Sequence, residues 1–197
     1  MPEDKDISTI GARFGLKGQD ALMMVALCSG LLQEVGISGD QFLARLEQGD
    51  DVGAALGLPS ELTEFLYARA HRWFMVDRVD RAEPLFRALC VLDGQSADYW
   101  IGLGICLRLR GSLDAAALAF STAARLRPHW AVPAFHAAEL AIQTGDYGGA
   151  RGYLARFHEA PDQDIPERMR QEAARMAVAL GRHTASASNA KPSVIAR

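Results

Sequence analysis

The sequence has 197 residues and a formal net charge of −3, which is the length of one or at most two domains and argues against a strongly basic nucleic-acid-binding protein. Hydrophobic residues make up 49% of the chain and charged residues 23%, so a wholly disordered protein is excluded. Three widely separated cysteines without a CxxC pair predict buried thiols in a reducing cytosol rather than a disulfide framework or a zinc site.

The N-terminal part of the chain is predicted to hold a flexible arm at 1–18 and a helical region at 19–59. A first helix at 19–35 is apolar on nearly all sides, so we expect it to wedge into a core or to pair with a second chain. Its apolar run is too short to span a bilayer, which takes about 20 residues, and its acidic start and lack of a cleavage site predict that it is not a signal peptide. A second short helix is predicted at 39–47. The candidate dimerisation residues are Leu22, Val25, Leu27, Leu31 and Leu32.

From residue 60 onward the sequence repeats itself at a spacing of 34 residues. This period, with its alternation of small and large residues, is typical of the tetratricopeptide repeat, a helix-turn-helix unit. The repeat region 60–164 divides into three predicted repeats, at 63–96, 97–130 and 131–164. The predicted fold is therefore an all-α tetratricopeptide-repeat solenoid. The aligned sets are Leu66, Trp100 and Ala134; Ala70, Gly104 and Ala138; Ala82, Ala116 and Ala150; and Phe86, Phe120 and Leu154.

The turns and the C-terminal end of the array also leave signals in the sequence. Gly111 and Gly145 stand where a first helix must turn, and Asp77 takes that place in the first repeat because Asp tolerates positive φ better than most residues. An amphipathic helix at 165–181, ending at Gly181, is predicted to cap the last repeat, whose outer face is otherwise uncovered. The segment 182–197 is predicted to be a disordered tail.

The first helices of the three repeats carry an apolar row on the face opposite to their packing residues. First helices line the concave side of such a solenoid, so this row is expected to form a peptide-binding groove, with polar residues at its flanks that hydrogen-bond the peptide. The alternative is that the N-terminal helices fold back and cover the row. The predicted groove residues are Glu64, Tyr67, His71, Phe74, Met75, Asp98, Ile101, Ile105, Arg108, Leu109, Phe135, Glu139 and Ile142.

Catalytic and metal-binding patterns are not indicated by the sequence. His129 and His136 have no nearby carboxylate or cysteine that would complete a metal set, so loop and core positions are favoured for them. The glycines of Ile101-Gly-Leu-Gly-Ile105 fall inside a helix, where they indicate close packing rather than a phosphate-binding loop. We therefore predict no enzymatic activity, no cofactor and no metal.

Several segments resemble the class II chaperones of bacterial type III secretion systems, the translocator chaperones of the SycD/LcrH/IpgC type. The resemblance runs from about Phe42 to Phe157 and is carried by Leu66-Tyr-Ala-Arg-Ala70, Ala88-Leu-Cys-Val-Leu-Asp93, Gly102-Leu-Gly-Ile-Cys106 and Phe135-His-Ala-Ala-Glu139. It implies a three-repeat protein without a cofactor that keeps hydrophobic translocator proteins soluble in the bacterial cytoplasm. An extended translocator segment would lie in the concave groove at positions that include Tyr67, His71 and Phe74, and homodimers would form through the N-terminal helices.

Two other functions remain open at this point. The first is a generic tetratricopeptide-repeat scaffold or regulator that binds a different peptide, and the second is a chaperone for a small helical needle-type subunit. These two hypotheses and the translocator-chaperone hypothesis all predict a protein partner. None of them predicts nucleic-acid binding or direct membrane insertion.

Overall fold

The computed structural model describes residues 19–34, 36–161 and 165–189, and that part of the chain forms ten helices without a strand. The predicted all-α class is confirmed. The predicted arm at 1–18 lies outside the described residues. The helices are α1 (Gln19–Glu34), α2 (Gly39–Glu47), α3 (Val52–Ala55), α4 (Ser60–Met75), α5 (Val79–Leu92), α6 (Ala97–Leu109), α7 (Leu113–Leu126), α8 (Ala131–Gln143), α9 (Tyr147–Glu159) and α10 (Glu167–Asn189).

The two predicted N-terminal helices are present as α1 and α2, and the short helix α3 was not predicted. Gly36 follows α1 with a φ of 79°, a conformation that favours glycine. The Ser38 hydroxyl caps α2 by accepting a hydrogen bond from the Gln41 amide, and the Asp51 carboxylate caps α3 by accepting one from the Ala54 amide at 2.7 Å. These helices pack in series, α1 on α2, α2 on α3, and α3 on α5. The N-terminal region therefore reaches the repeats through α5, the second helix of the first repeat.

The helices α4 to α9 form three hairpins, one for each predicted repeat, and the three turns share one geometry. Asp77, Gly111 and Gly145 adopt positive φ of 58°, 82° and 78°, which confirms the prediction for these positions. After each of them, the next amide donates a hydrogen bond back to a carbonyl five residues earlier, for example from Ser112 to Leu107 at 2.9 Å. This bond is typical of a helix that ends in a left-handed residue.

Small residues set the distances between the helices. Ala70, Ala116 and Ala138 are fully buried at their hairpin interfaces. The ring of Phe120 lies against Gly104, and a Cβ atom at that position would overlap it. The glycines inside α6 are thus packing glycines, as predicted, because the aromatic rings occupy the space that side chains would need.

The array ends in a longer helix than predicted. α10 packs on α9 and buries Ala173 and Leu180 in the hydrophobic cluster of the third repeat. It continues through Gly181 to Asn189, so both the predicted helix end at Gly181 and disorder for 182–189 are wrong. A glycine inside a helix costs only about 1 kcal/mol relative to alanine, which a helix anchored by Leu180 can tolerate. Residues 190–197 of the predicted tail lie outside the described residues. Within the described part, no helix has the length and apolar character to cross a membrane.

Candidate peptide-binding surface

The first helices α4, α6 and α8 contact one another in sequence and carry most of the predicted row on one side. Met75 and Leu109 are 68% and 53% exposed, while Tyr67, Phe74, Ile105 and Ile142 are partly exposed. The described N-terminal helices pack toward α5, so their main contacts do not cover this row. We call the exposed and partly exposed part of the row the inner surface; it comprises Tyr67, His71, Phe74, Met75, Ile105, Arg108, Leu109, Glu139 and Ile142.

One end of the inner surface is an aromatic cluster around Tyr67. The ring centroid of Tyr67 lies 5.4 Å from that of Tyr99 and 6.4 Å from that of His71. Burial, and secondarily the charge of Asp98, raises the pKa of Tyr67 above its usual value. Burial likewise raises the pKa of Tyr99. Both phenols therefore stay neutral at physiological pH and present apolar ring faces beside hydroxyl groups that can donate or accept hydrogen bonds.

Tyr99 was missed by the sequence prediction. It stands at the start of α6, next to Trp100, which is one of the residues that carry the 34-residue repeat pattern. The indole nitrogen of Trp100 donates a hydrogen bond to the Gly94 carbonyl at 2.8 Å. The groove residues were predicted only from the face of α6 opposite to Trp100, and Tyr99 does not lie on that face. A search for aromatic residues one repeat away from Phe65 would have found Tyr99, because the two lie 34 residues apart.

The middle of the inner surface is charged rather than apolar. Arg108 of α6 and Glu139 of α8 form an ion pair with an Nη2–Oε2 distance of 3.1 Å. The same Oε2 atom lies 2.7 Å from Nδ1 of His136, whose buried ring stacks on Phe120. The sequence placed His136 in the core, and the structure agrees. Arg108 and Glu139 were predicted as separate contacts for a peptide, whereas here they bind each other across the second and third repeats.

Arg108 also retains an unused donor. Its Nε atom is buried and has no hydrogen-bond partner among the described residues. Such a group costs free energy of about 1–3 kcal/mol when it is left unsatisfied. The ion pair therefore holds the two repeats together without satisfying the whole guanidinium group.

Two residues predicted for an open groove are buried instead. Ile101 is 7% exposed and belongs to the hydrophobic cluster of the first two repeats. Phe135 is 5% exposed, and its ring centroid lies 5.8 Å from that of Phe157 in the cluster of the third repeat. Each side chain is buried in the hydrophobic cluster to which it belongs. They are therefore not part of the inner surface.

The remaining polar predictions have different surroundings. Asp98 is bound by Arg127 at 2.9 Å, and the guanidinium of Arg127 lies over the Trp130 ring. Asp98 thus ties α6 to the end of α7. Glu64 is exposed, as is His71. These two side chains are accessible to a ligand on the inner surface.

The structure also explains the chemistry of two cysteines. Cys90 and Cys106 are buried, and desolvation raises the pKa of each thiol to about 12. They remain protonated and unreactive at neutral pH. Groups of His, Cys, Asp and Glu that could hold a metal ion are not found within the described residues. The inner surface offers ring faces, aliphatic side chains and one ion pair, which suit the binding of a peptide.

A separate cavity of about 940 Å³ lies between α7, α8 and α9. None of the predicted groove residues lines it. Its floor includes Ala134, Ala137 and Ala141, which lie on the side of α8 opposite to Phe135, Glu139 and Ile142. The molecule thus has two distinct surfaces, one on each side of α8.

Comparison with curated proteins and solved structures identifies similar chains. The chain is 30% identical to the low calcium response locus protein H (LcrH) of Yersinia pestis over 122 residues. These aligned residues make up 62% of this chain and 71% of LcrH. It is 37% identical over 54 residues to the chaperone protein SicA of Salmonella typhimurium, 27% of this chain and 33% of SicA. No family model matches the sequence.

The solved structures lead to the same group of proteins. The type III secretion chaperone SycD of Yersinia enterocolitica, in complex with a peptide of the translocator YopD, superimposes with a TM-score of 0.59 at 28% identity over 64% of this chain and 97% of that one. An alternative dimer of SycD gives a TM-score of 0.61 at 26% identity over 64% of this chain and 96% of that one. PcrH of Pseudomonas aeruginosa gives a TM-score of 0.59 at 31% identity over 63% of this chain and 95% of PcrH. PcrH has also been solved with the chaperone-binding region of PopB, where the TM-score is 0.57 at 31% identity over 61% of this chain and 98% of that one. The predicted tetratricopeptide-repeat architecture is therefore confirmed.

Proposed function

Since the chain belongs to the family of class II type III secretion translocator chaperones, which includes LcrH, SycD and PcrH, we propose that it binds an extended segment of a hydrophobic translocator. The segment lies on the inner surface, and binding keeps the translocator soluble in the bacterial cytoplasm before export. The observation that carries this proposal is the run of uncovered apolar side chains on three successive helices, from Met75 on α4 through Leu109 on α6 to Ile142 on α8. Neither a cofactor nor a catalytic step is part of this function.

The energetics of the inner surface suit a carrier that must later release its client. Aliphatic side chains of the segment bury apolar area against Phe74, Ile105 and Ile142 at about 25 cal/mol per Å². Ordering an extended chain opposes that gain, so the net affinity is moderate. A rigid array of packed helices keeps the surface preformed, and the conformational cost falls on the client alone.

The comparisons favour this function over the two alternatives. SycD and PcrH are each solved with a segment of a translocator, namely YopD or PopB. A generic repeat scaffold would not be expected to resemble chaperones that bind translocator segments. A chaperone for a needle-type subunit would be expected to resemble structures with a small helical partner.

Co-expression with a hydrophobic translocator of the same bacterium tests the proposal. The double variant Tyr67→Ala/Phe74→Ala removes two partly exposed rings from the inner surface, and we expect it to lose at least nine-tenths of the soluble complex. The matched control is Leu118→Ala, which removes an exposed apolar side chain from α7. The control should form the complex like the unmodified protein, and circular dichroism should show equal helicity in all three.

The opposite results would overturn the proposal. A translocator that stays equally soluble with the double variant does not bind at the inner surface. A translocator that the unmodified chain fails to keep in solution is not its client.

We further propose that α1 mediates self-association. Met23, Leu27 and Leu31 lie one turn apart along α1, and all three are largely exposed. Leu32 is partly buried, and the side chains of Leu22 and Val25 lie outside the described residues. The stripe 23, 27, 31 forms one face of a helix, which suits pairing with the same face of a second copy. The alternative dimer of SycD supports association in this family.

Light scattering at several protein concentrations tests the interface. Leu27→Lys/Leu31→Lys places two charges in the stripe and is expected to give a monomer at concentrations where the unmodified chain is a dimer. The control Val91→Lys changes an exposed apolar residue of α5 and should leave the mass unchanged. A dimer that persists in the double variant would place the interface elsewhere.

A further inference from the structure

The outer cavity, as we call the space between α7, α8 and α9, arises from a difference between two repeats. In the second repeat, Trp100 and Leu103 occupy the first two packing positions of the first helix. In the third repeat, Ala134 and Ala137 stand 34 residues later at the same positions. Large side chains are missing where the repeat pattern normally provides them. The cavity of about 940 Å³ lies at this place.

The floor of the outer cavity is apolar and its edge is aromatic. Phe120, Pro133 and Leu140 line it and are buried, while Trp130 and Tyr153 stand at its rim. Further lining residues are Ala117, Ala124, Ala137 and Ala141. Alanines leave room for a partner's backbone to approach closely and for its larger side chains to enter.

The two ends of the outer cavity carry opposite charges. Since α7 and α9 each run antiparallel to α8, they run in the same direction and their corresponding ends lie side by side. Asp114 in the first turn of α7 and Asp146 at the cap of α9 mark one end. Arg125 and Arg156, in the last turns of the same helices, mark the other.

The charged groups at the basic end remain accessible. Neither Arg125 nor Arg156 forms an ion pair with a residue that the structure describes, and both are exposed. Glu159 and His129 also line this end. Two guanidinium groups against one carboxylate leave this end positive. At the other end, Asp146 accepts a hydrogen bond from the Gly149 amide at 2.8 Å and Asp114 has no partner among the described residues.

We propose that the outer cavity binds an amphipathic helix of a partner protein. The partner places large aliphatic side chains on the alanine floor of α8, basic side chains beside Asp114 and Asp146, and acidic side chains beside Arg125 and Arg156. The distance from Asp114 to Arg125 along α7 is about 16 Å at 1.5 Å per residue, which accommodates about three turns of helix. A helix fits because two parallel helices form the walls and a third forms the floor, as in other helix-in-groove contacts.

This site is independent of the client segment proposed for the inner surface, because the two lie on opposite sides of α8. A partner helix on the outer cavity and a client on the inner surface can be bound together. The charge pattern distinguishes the partner from a purely hydrophobic segment, since opposite charges at the two ends fix the orientation of the helix.

Fluorescence anisotropy with a synthetic helical peptide tests the proposal on the full chain. The probe has leucines at a helical spacing over three turns, lysines at one end and glutamates at the other. A control peptide has the same composition with both charges mixed at each end. We expect the probe to bind at least tenfold more tightly than the control at low salt. Equal affinities, or no binding of the probe, would overturn the proposal.

Filling the cavity locates the binding site. Ala134→Trp/Ala137→Leu restores the residues of the second repeat and is expected to weaken probe binding at least tenfold. The variant Tyr67→Ala/Phe74→Ala on the inner surface should bind the probe normally. Unchanged binding after filling would show that the probe lies elsewhere and would contradict the proposal.

Two further variants keep the test decisive. If the filled variant is not helical by circular dichroism, Ala124→Leu blocks the same space from an exposed position on α7 and should weaken binding in the same way. Arg125→Glu/Arg156→Glu reverses the charge at one end and should also weaken it about tenfold. A change of oligomeric state in the filled variant would mean that a second copy of this chain occupies the cavity, which would contradict a partner helix.

Discussion

Arg108 and Glu139 join the first helices of the second and third repeats through an ion pair of 3.1 Å, with side chains that are only 18% and 24% exposed. His136 shares the same carboxylate oxygen at 2.7 Å. The pair joins the helices that carry Ile105 and Ile142, and it fixes the spacing of the two repeats on which the proposed client segment would lie. Because it is largely withdrawn from water, breaking it by removing one partner costs more than breaking an exposed pair.

The first prediction concerns the stability that this pair provides. Glu139→Gln leaves the guanidinium of Arg108 without its counter-charge, and we expect the free energy of unfolding to fall by about 1–3 kcal/mol. The control Glu172→Gln breaks an exposed pair with Arg175 and should change the stability by less than about 0.5 kcal/mol. Urea denaturation followed by circular dichroism measures both. Equal effects of the two substitutions would show that the Arg108–Glu139 pair is energetically an ordinary surface contact.

The second prediction concerns the packing of the middle repeat. Gly104→Ala introduces a Cβ atom that overlaps the ring of Phe120, so we expect a loss of about 1–3 kcal/mol from overpacking. Gly152→Ala is the matched control, because nothing lies near its Cβ position on α9. There the higher helix propensity of alanine should stabilise the protein by about 0.5–1 kcal/mol. Thermal unfolding of both variants gives the comparison, and a stabilising Gly104→Ala would contradict the packing described above.

The third prediction concerns the turn of the first repeat. Asp77 holds a φ of 58°, which is strained for a residue with a side chain. Asp77→Gly removes that strain, and we expect a gain of about 0.5–1 kcal/mol after the greater freedom of glycine in the unfolded chain is allowed for. The same substitution at Asp40, in the first turn of α2, should destabilise the protein. A lower melting temperature for Asp77→Gly would contradict the account of this turn.

The fourth prediction concerns the buried thiols. In the folded state the pKa of Cys90 and Cys106 is about 12, above the ordinary value of 9.0. A raised pKa stabilises the folded state below pH 9 and lowers its stability as the pH rises from about 9 to 12, because the unfolded chain loses these protons first. In a Cys28→Ser background, iodoacetamide at pH 8 should leave both thiols unmodified in the native protein and alkylate both in denaturant. Intact-mass spectrometry measures this, and rapid alkylation of the native protein would mean that the thiols are accessible.

The sequence predicted the repeats well because their pattern depends on local packing rules. A 34-residue spacing of alanines and glycines identifies the helix pairs, and Asp77, Gly111 and Gly145 identify the turns. The end of α10 was not predicted, since whether a helix crosses Gly181 depends on the anchoring of Leu180 in the cluster of the third repeat. That anchoring is a tertiary contact and leaves no local signal.

The candidate site was predicted only in part for a similar reason. A helical wheel gives the direction of a side chain but not what lies in that direction. Ile101 and Phe135 were assigned to the exposed row, yet Ile101 is buried in a hydrophobic cluster and Phe135 packs against Phe157 of the second helix α9. The pairing of Arg108 with Glu139 depends on the distance between two repeats, which the wheel of a single helix does not contain. The outer cavity lies where Ala134 and Ala137 replace the large residues of the preceding repeat. Small residues at such positions can therefore also be used to predict a cavity.

Site-specific photo-crosslinking tests most directly whether a translocator segment lies on the inner surface. A benzophenone amino acid in place of His71, which is exposed on α4, should crosslink to a co-expressed translocator, and mass spectrometry of the product should identify an extended segment. The same amino acid in place of Arg151, exposed on α9, should give no crosslink to that segment. Crosslinking at Arg151 and none at His71 would contradict the proposed site.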